Sequence, residues 1–400
     1  MPATELLFRN PAFGRFFAAR ACSYIGDGVA TVALILLVQG RHGTGVAVGA
    51  LLLAQSLPRL LGPLAGSFAD RLPARRLMVG CDLGQAVVFV GIALLATPPL
   101  AVLLVLVVAS TCLQTLFQPA GAAALPRLVD EADLLAANAR FGSAFNLQVA
   151  VGPLLGGVLV AAVGTEEAIL VNAASFVVSA LLLAGVPQLA ERIHTEDRGV
   201  LAATRDGLAY VWSTPLVRTL CLALLFGVAF GAMDNVALVF LARETLGASA
   251  TGYGALNSAF GIGMIAGALL LARAGSGADT ALLFLGGLAL TGLGLALTGL
   301  APVLAVAIAF QALAGIGNGI DNVAMNTLIP QEVPAPLLGR VFGVVSTFAF
   351  AGAGVASLAG GVLLDLTSPR LVFVVAGAGL IAVCALAAPT LSSSRAHAGS

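Results

Sequence analysis

Three carboxylates stand in stretches of sequence where a carboxylate is costly: Asp27 in "CSYIGDGVATVAL", Asp234 in "FGAMDNVALVF" and Asp321 in "GIGNGIDNVAM". A charge placed in hydrocarbon costs a few kcal/mol or more, so such a group usually faces a partner or a water-filled path. Removal from water favours the neutral carboxyl, which makes an intramembrane acid suited to binding and releasing a proton. Asp27 ranks first as a proton-coupling group, followed by Asp234 and Asp321. Arg20 lies seven residues before Asp27 on the same helical face, about 10 Å away. A structural alternative stands beside this reading: Asp27 neutralises Arg20 or Arg59, and Asp234 is a helix-to-helix hydrogen-bonding group. No nucleophile–base pair, metal-ligand cluster or phosphate-binding loop is visible, so neither an enzyme nor a metal or cofactor is expected.

The elements that must carry these groups follow from composition. With 59% hydrophobic and 10% charged residues, 48 glycines and a mean hydropathy of +1.04, the bilayer is the expected solvent of this chain of 400 residues. A net charge of zero from 19 basic and 19 acidic residues offers no basic surface for nucleic acid. All the basic residues are arginine. The five cysteines stand singly in apolar runs and read as packing residues. The first twenty residues lack the pattern of a cleavable signal peptide.

Apolar segments long enough to cross a hydrocarbon core fall near 13–39, 46–68, 77–97, 99–119, 137–163, 166–186, 215–243, 250–272, 279–300, 302–327, 337–365 and 369–390. Twelve spans divide the chain into an N-terminal bundle (1–190), a polar cytoplasmic linker (191–214) and a C-terminal bundle (215–400). The linker run "ERIHTEDRGVLAATRDG" is expected to be a solvated loop, with a short surface helix as the lesser option. Fourteen arginines fall on the side of the N-terminus and three (Arg41, Arg243, Arg370) on the other, so both termini are expected in the cytoplasm, in a bacterial inner membrane.

The two halves repeat. Asp27 pairs with Asp234, "ALPRLV" at 124–129 with "LIPQEV" at 328–333, Arg140 with Arg340, and Gly156-Gly157 with Gly360-Gly361, at offsets of 207, 204, 200 and 204. A duplicated six-helix unit with its substrate path at the repeat interface is a transporter signature. Polar lining concentrates on the first, fourth, seventh and tenth spans: Gln114 and Gln118 on one stripe of the fourth, Asp234 and Asn235 on the seventh, and Asn318, Asp321 and Asn322 on the tenth. Gln55 and Arg59, then Asn146 and Gln148, and Asn257 extend the candidate substrate cavity. The sixth, ninth and twelfth spans carry no interior charge, which suits a lipid-facing ring.

The six-plus-six plan with "GSFADRLPARR" after the second span resembles the major facilitator superfamily. Gly66, Asp70, Arg71, Arg75 and Arg76 occupy the positions of its loop signature, and Pro73 stands where the family usually has glycine. The segment from Phe117 through "GPLLGG" is similar to the branch of enterobactin exporters and macrolide efflux pumps. Gly152, Pro153, Gly156 and Gly157 match its antiporter motif. The resemblance implies an all-α membrane protein of two pseudo-symmetric bundles, working by alternating access as a proton-coupled exporter of amphipathic small molecules, and functional as a monomer. An uptake symporter of a small metabolite, or a non-transporting receptor-like member, is the alternative. It implies that Asp70 meets the N-terminus of the eleventh span near Arg340. Physical pairing of Arg71, Arg75 and Arg76 with acids such as Asp82 would complete a cytoplasmic gate that includes Arg140. The "GPLLGG" glycines are expected to let helices pack and rock, with ordinary small-residue packing as the plainer alternative.

Overall fold

A computed structural model of the chain describes residues 9–69, 71–95, 99–188, 200–274 and 279–393. Asp70, the linker residues 191–199 and the last seven residues lie outside the described residues. Among the described residues the chain is all-α, with no strand.

In the first half, α1 is Pro11–His42, and α2 runs Gly45–Ser56, through a 3-10 segment Leu57–Leu61, into Gly62–Ala69. Then follow α3 (Ala74–Leu94), α4 (Leu100–Leu128), α5 (Leu134–Val163) and α6 (Thr165–Ala184). The second half has α7 (Pro215–Phe240, closed by a π-turn Leu241–Thr245), α8 (Ala250–Ala274), α9 (Thr280–Leu300), α10 (Leu304–Glu332), α11 (Ala335–Leu366) and α12 (Pro369–Ser393). Eleven of these helices are long and apolar enough to cross a membrane, and the apolar part of α2, Gly45–Leu61, is shorter.

The repeat is carried into the helix boundaries. Both α4 and α10 are 29 residues long and begin 204 positions apart, each with a proline in its last turn, Pro126 and Pro330. Both α3 and α9 are 21 residues long and begin 206 positions apart. Pairings repeat too: α1 packs on α5 and α6, and α3 on α4 and α6; correspondingly α7 packs on α11 and α12, and α9 on α10 and α12.

The chain forms two compact units. The first holds residues up to His42 and Ala54–Glu196; the second holds Gly43–Leu53 and everything from Asp197. In the first unit, Asn10 caps α1 by accepting from the Phe13 amide at 3.0 Å, while its own amide group donates to the last-turn carbonyl of Leu128. Phe13, Phe16 and Phe17 all pack edge-on against Phe141 of α5.

The boundary of the second unit differs from the plan expected of the sequence, because the first part of α2 packs on α11. The Gly45 and Val46 amides donate to the two Asp365 carboxylate oxygens at 2.5 and 3.0 Å. A carboxylate at a helix N-terminus meets unsatisfied N–H groups and the positive end of the dipole. A side chain at Gly45 or Gly49 would collide with the α11 backbone at Gly361 and Ser357, so these glycines allow the two helices to touch. Asp365→Ala is expected to lower stability by about 1 kcal/mol, read as a lower unfolding temperature in detergent.

The described part of the linker is a helix rather than a solvated loop. Val200–Ser213 is a helix, and Val211 is buried with Ile329, Val333, Val341 and Val345 at the facing ends of α10 and α11. Tyr210 Oη donates to the Glu332 carbonyl at 3.3 Å. The polar run therefore hides an amphipathic helix whose few apolar residues have a surface to cover.

Candidate functional site

In the first unit the structure gathers Asp27, Arg59 and Gln114. Gln114 of α4 donates through Nε2 to Asp27 Oδ2 at 3.3 Å, and its Oε1 accepts from Arg59 at 3.3 Å. Gln114 thus bridges a carboxylate and a guanidinium with both ends of its amide. Arg59 owes its position to the break in α2. Pro58 has no amide proton to donate, and the chain tightens into the 3-10 segment that carries Arg59. Asp27 is half-buried and Arg59 exposed, so this cluster opens to the surface of its unit.

Arg20, about two helical turns before Asp27 on α1, is held by rings. Its guanidinium lies 4.5 Å from the Tyr24 centroid and 4.4 Å from that of Phe117, and the residue is 7% exposed. Stacking of this kind stabilises a weakly hydrated cation without neutralising it. Arg20 and Arg59 both remain within electrostatic reach of Asp27.

A partner missed in the sequence comes from α6. Asn172 is fully buried and its side chain approaches Asp27, although its Nδ2 closes no hydrogen bond of good geometry. Asn172, Ser175 and Ser179 are all buried at i, i+3 and i+7, one stripe facing α1 and α3. The sixth span is therefore not simply lipid-facing. It lacks charge, but its polar stripe was the available signal.

Other expected lining residues are placed less uniformly. Gln55 and Gln148 are half-buried, while Gln118 and Asn146 are exposed. Gly152 and Gly156 serve close packing: a Cβ on Gly152 would lie 2.8 Å from Gly28 Cα, and one on Gly156 would lie 3.0 Å from Val29 Cα. The "GPLLGG" segment thus presses α5 against α1 beside Asp27. Gly157 is buried on the same helix, and Pro153 lies inside it.

Asp82 departs from expectation. Its sequence position suggests a partner for the neighbouring arginines, but it is 0% exposed and accepts a 2.6 Å hydrogen bond from Ser179 Oγ. Eight residues into α3, it points into the helix pack, out of reach of the loop. Arg75 instead donates to the Val186 carbonyl at 3.1 Å, while Arg71 and Arg76 are exposed. Pro73 does not prevent a tight turn, since the Arg71 and Leu72 amides donate back to the Phe68 and Ala69 carbonyls at 3.2 and 3.3 Å. Gly66 has open space where a Cβ would be. Arg140 is half-buried, and Arg340, half-buried on α11, lies with its backbone against Gly207 of the linker helix.

In the second unit Asp234 is 7% exposed, with the fully buried Tyr253 of α8 within electrostatic reach. Asn257 donates to the Tyr253 carbonyl at 3.1 Å. Tyr253 is one of three tyrosines in the chain and sits in an apolar span, a signal that composition held but spacing did not. Asn235 is exposed and donates to its own helix at Gly231. On α10 the polar residues divide between faces. Asn318 is half-buried and Asn322 exposed, whereas Asp321 turns toward Thr291 in the tight α9–α10 seam of Gly287 and Gly317. Asp321 and Asn322 are neighbours in sequence and therefore about 100° apart around the helix.

The family profile described as transmembrane secretion effector matches residues 5–396. The chain belongs to that family of major facilitator transporters. This transporter is 32% identical over 385 residues to the multidrug efflux pump Tap of Mycolicibacterium fortuitum, covering 89% of this chain and 90% of Tap. It is 28% identical to the MFS-type transporter YfiS of Bacillus subtilis, covering 94% and 93% of the two chains. Among solved structures it resembles the nucleoside transporter NupG at a TM-score of 0.76 and 12% identity, over 94% of this chain and 98% of that one. That last likeness speaks for the fold alone. The chain is a multi-pass membrane transporter with a small-molecule substrate, and its relatives include efflux pumps.

Proposed function

We propose that this transporter exports amphipathic small molecules from the cytoplasm in exchange for protons, by alternating access, with Asp27 as the coupling carboxylate. The observation that carries the reading is the Asp27–Gln114–Arg59 chain of contacts. It puts a titratable acid at an exposed polar cluster, next to the close Gly28–Gly152 contact between α1 and α5. The cluster supplies a hydrogen-bond donor and a permanent cation, both of which stabilise the carboxylate once its proton has left. Kinship with the efflux pump Tap supports the outward direction and a drug-like substrate. Asp234, with Tyr253 and Asn257, is the second candidate for proton binding. The inner membrane, cytoplasmic termini and a monomeric working unit complete the proposal, with Asp70, Arg71, Arg75 and Arg76 biasing the cycle from the cytoplasmic loop.

The test is transport in inside-out membrane vesicles energised by an acid interior, with a panel of dyes, macrolides and siderophores. Accumulation of one or more compounds that collapses on addition of a protonophore is the expected result. Accumulation of a panel compound only in right-side-out vesicles would reassign the protein to uptake.

A further inference from the structure

Asp82 is a buried acid that the coupling site above does not use. Its carboxyl is 0% exposed between α3 and α6; one oxygen accepts from Ser179 Oγ at 2.6 Å, and Oδ1 has no hydrogen-bond partner. Ser179 is itself fully buried. An ionised carboxylate offers about four acceptor sites, and burying one with a single donor costs several kcal/mol. A purely structural pin between two helices has no need of an acid here, since a neutral amide would bond Ser179 equally well.

The charged and titratable groups facing Asp82 are Arg20 and Asp27 of α1, with Cys81 beside it on α3. From α6 it meets Ser179, and α4 contributes Phe117, whose ring stacks on Arg20. Arg20 therefore stands within electrostatic reach of two acids, and among the described residues it is held by Tyr24 and Phe117 rather than by an ion pair. At 1.5 Å per residue, Arg20 lies about 14 Å and Asp27 about 24 Å along α1, so the guanidinium and the Asp27 carboxyl are about two helical turns apart.

We propose that Asp82 is a second proton-binding group of this transporter, joined to Asp27 through the one guanidinium of Arg20 that both acids share. The proton leaves the Asp27 carboxyl, which becomes a carboxylate, and ends on the Asp82 carboxylate, which becomes a carboxyl, passing through water. Arg20 keeps all its protons and acts as a counter-charge that turns toward whichever acid is ionised. Asp82 is 0% exposed here, so it gives its proton to water only when the α3–α6 contact opens toward the start of α3. The proposal rests on Asp27 as the coupling group, and the test reads the two acids separately.

That test is infrared difference spectroscopy between acid and alkaline pH on the full chain in lipid vesicles, without substrate. Wild type is expected to show carboxylic-acid carbonyl bands that come and go with pH, two of them belonging to Asp27 and Asp82. Asp82→Asn should remove one band and retain the other, and Asp27→Asn the reverse. Arg20→Gln should displace both. A wild-type spectrum from Asp82→Asn, with the variant folded, would overturn the proposal. Ser179→Ala keeps the acid and removes its donor, so it should move the Asp82 band, and an unmoved band would overturn the assignment even if Asp82→Asn did not fold. Uphill transport by Asp27→Asn would remove Asp27 from coupling, while loss of a band in Asp82→Asn would still assign Asp82 a proton.

Discussion

Asp27→Asn is expected to reduce proton-driven accumulation to the passive level while leaving the protein folded. Asparagine keeps the volume of aspartate, and its carbonyl oxygen can still accept from Gln114, whose Nε2 now lies 3.3 Å from the carboxylate. The hydrogen-bond change is worth about 1 kcal/mol, too little to unfold the chain. The variant cannot release a proton, so a gradient has nothing to pull on. The competing role, simple neutralisation of Arg20 or Arg59, makes a different forecast. Arg20 is 7% exposed, and removing the acid that neutralises a buried cation costs about 3–5 kcal/mol, because the remaining charge is left uncompensated. In that case Asp27→Asn would be poorly expressed, and Arg20→Gln in the same background would restore it. Unfolding temperature and transport, measured on the same preparations, separate the two roles.

The second large effect belongs to the α1–α5 contact. Gly152→Leu is expected to cost more than the 1–3 kcal/mol of ordinary overpacking. A Cβ at Gly152 would stand 2.8 Å from Gly28 Cα, and a Cβ at Gly28 equally close to Gly152 Cα, so backbone must yield to backbone. No flexible side chain is available to move aside. Displacing α1 there shifts Asp27, the residue next to Gly28, away from Gln114 and Asn172. Loss of transport should therefore accompany the fall in unfolding temperature. Gly142→Ala, on the exposed part of the same α5, is the matched control. Nothing lies within 4 Å of its would-be Cβ, and alanine in a helix interior gains roughly 0.5–1 kcal/mol over glycine.

Much of the fold was legible because bilayer thickness imposes a length on every span. The repeat was legible because Pro126 and Pro330 sit in the same turn of helices of equal length, 29 residues each. Two elements were not. The span expected at 46–68 is interrupted, since Pro58 breaks a run that hydropathy reads as continuous. The linker helix was hidden because its few buried residues gain meaning only from the α10 and α11 ends that they cover.

At the site, Asp27, Arg59 and Gln114 were named from cost alone: polar groups in apolar runs need partners, and these three are partners of each other. Their mutual distances depend on how α1, α2 and α4 pack, which no local pattern encodes. Asp82 is close to Arg75 and Arg76 in sequence, yet its helical phase turns it into the bundle, which proximity does not reveal. Asn172 and Ser179 carry no charge, so only their i, i+7 spacing on α6 marks them. Asp321 and Asn322 are adjacent in sequence, and adjacent residues of a helix face different neighbours.

The central claim, exchange of substrate for protons through Asp27, is tested most directly by proton flux in liposomes containing the purified chain and a pH-sensitive dye. With no pH gradient imposed, a gradient of a macrolide or dye shown to be transported should drive protons the opposite way across the membrane. That flux should be absent with Asp27→Asn. Substrate movement by the wild-type protein without any accompanying pH change would contradict the account.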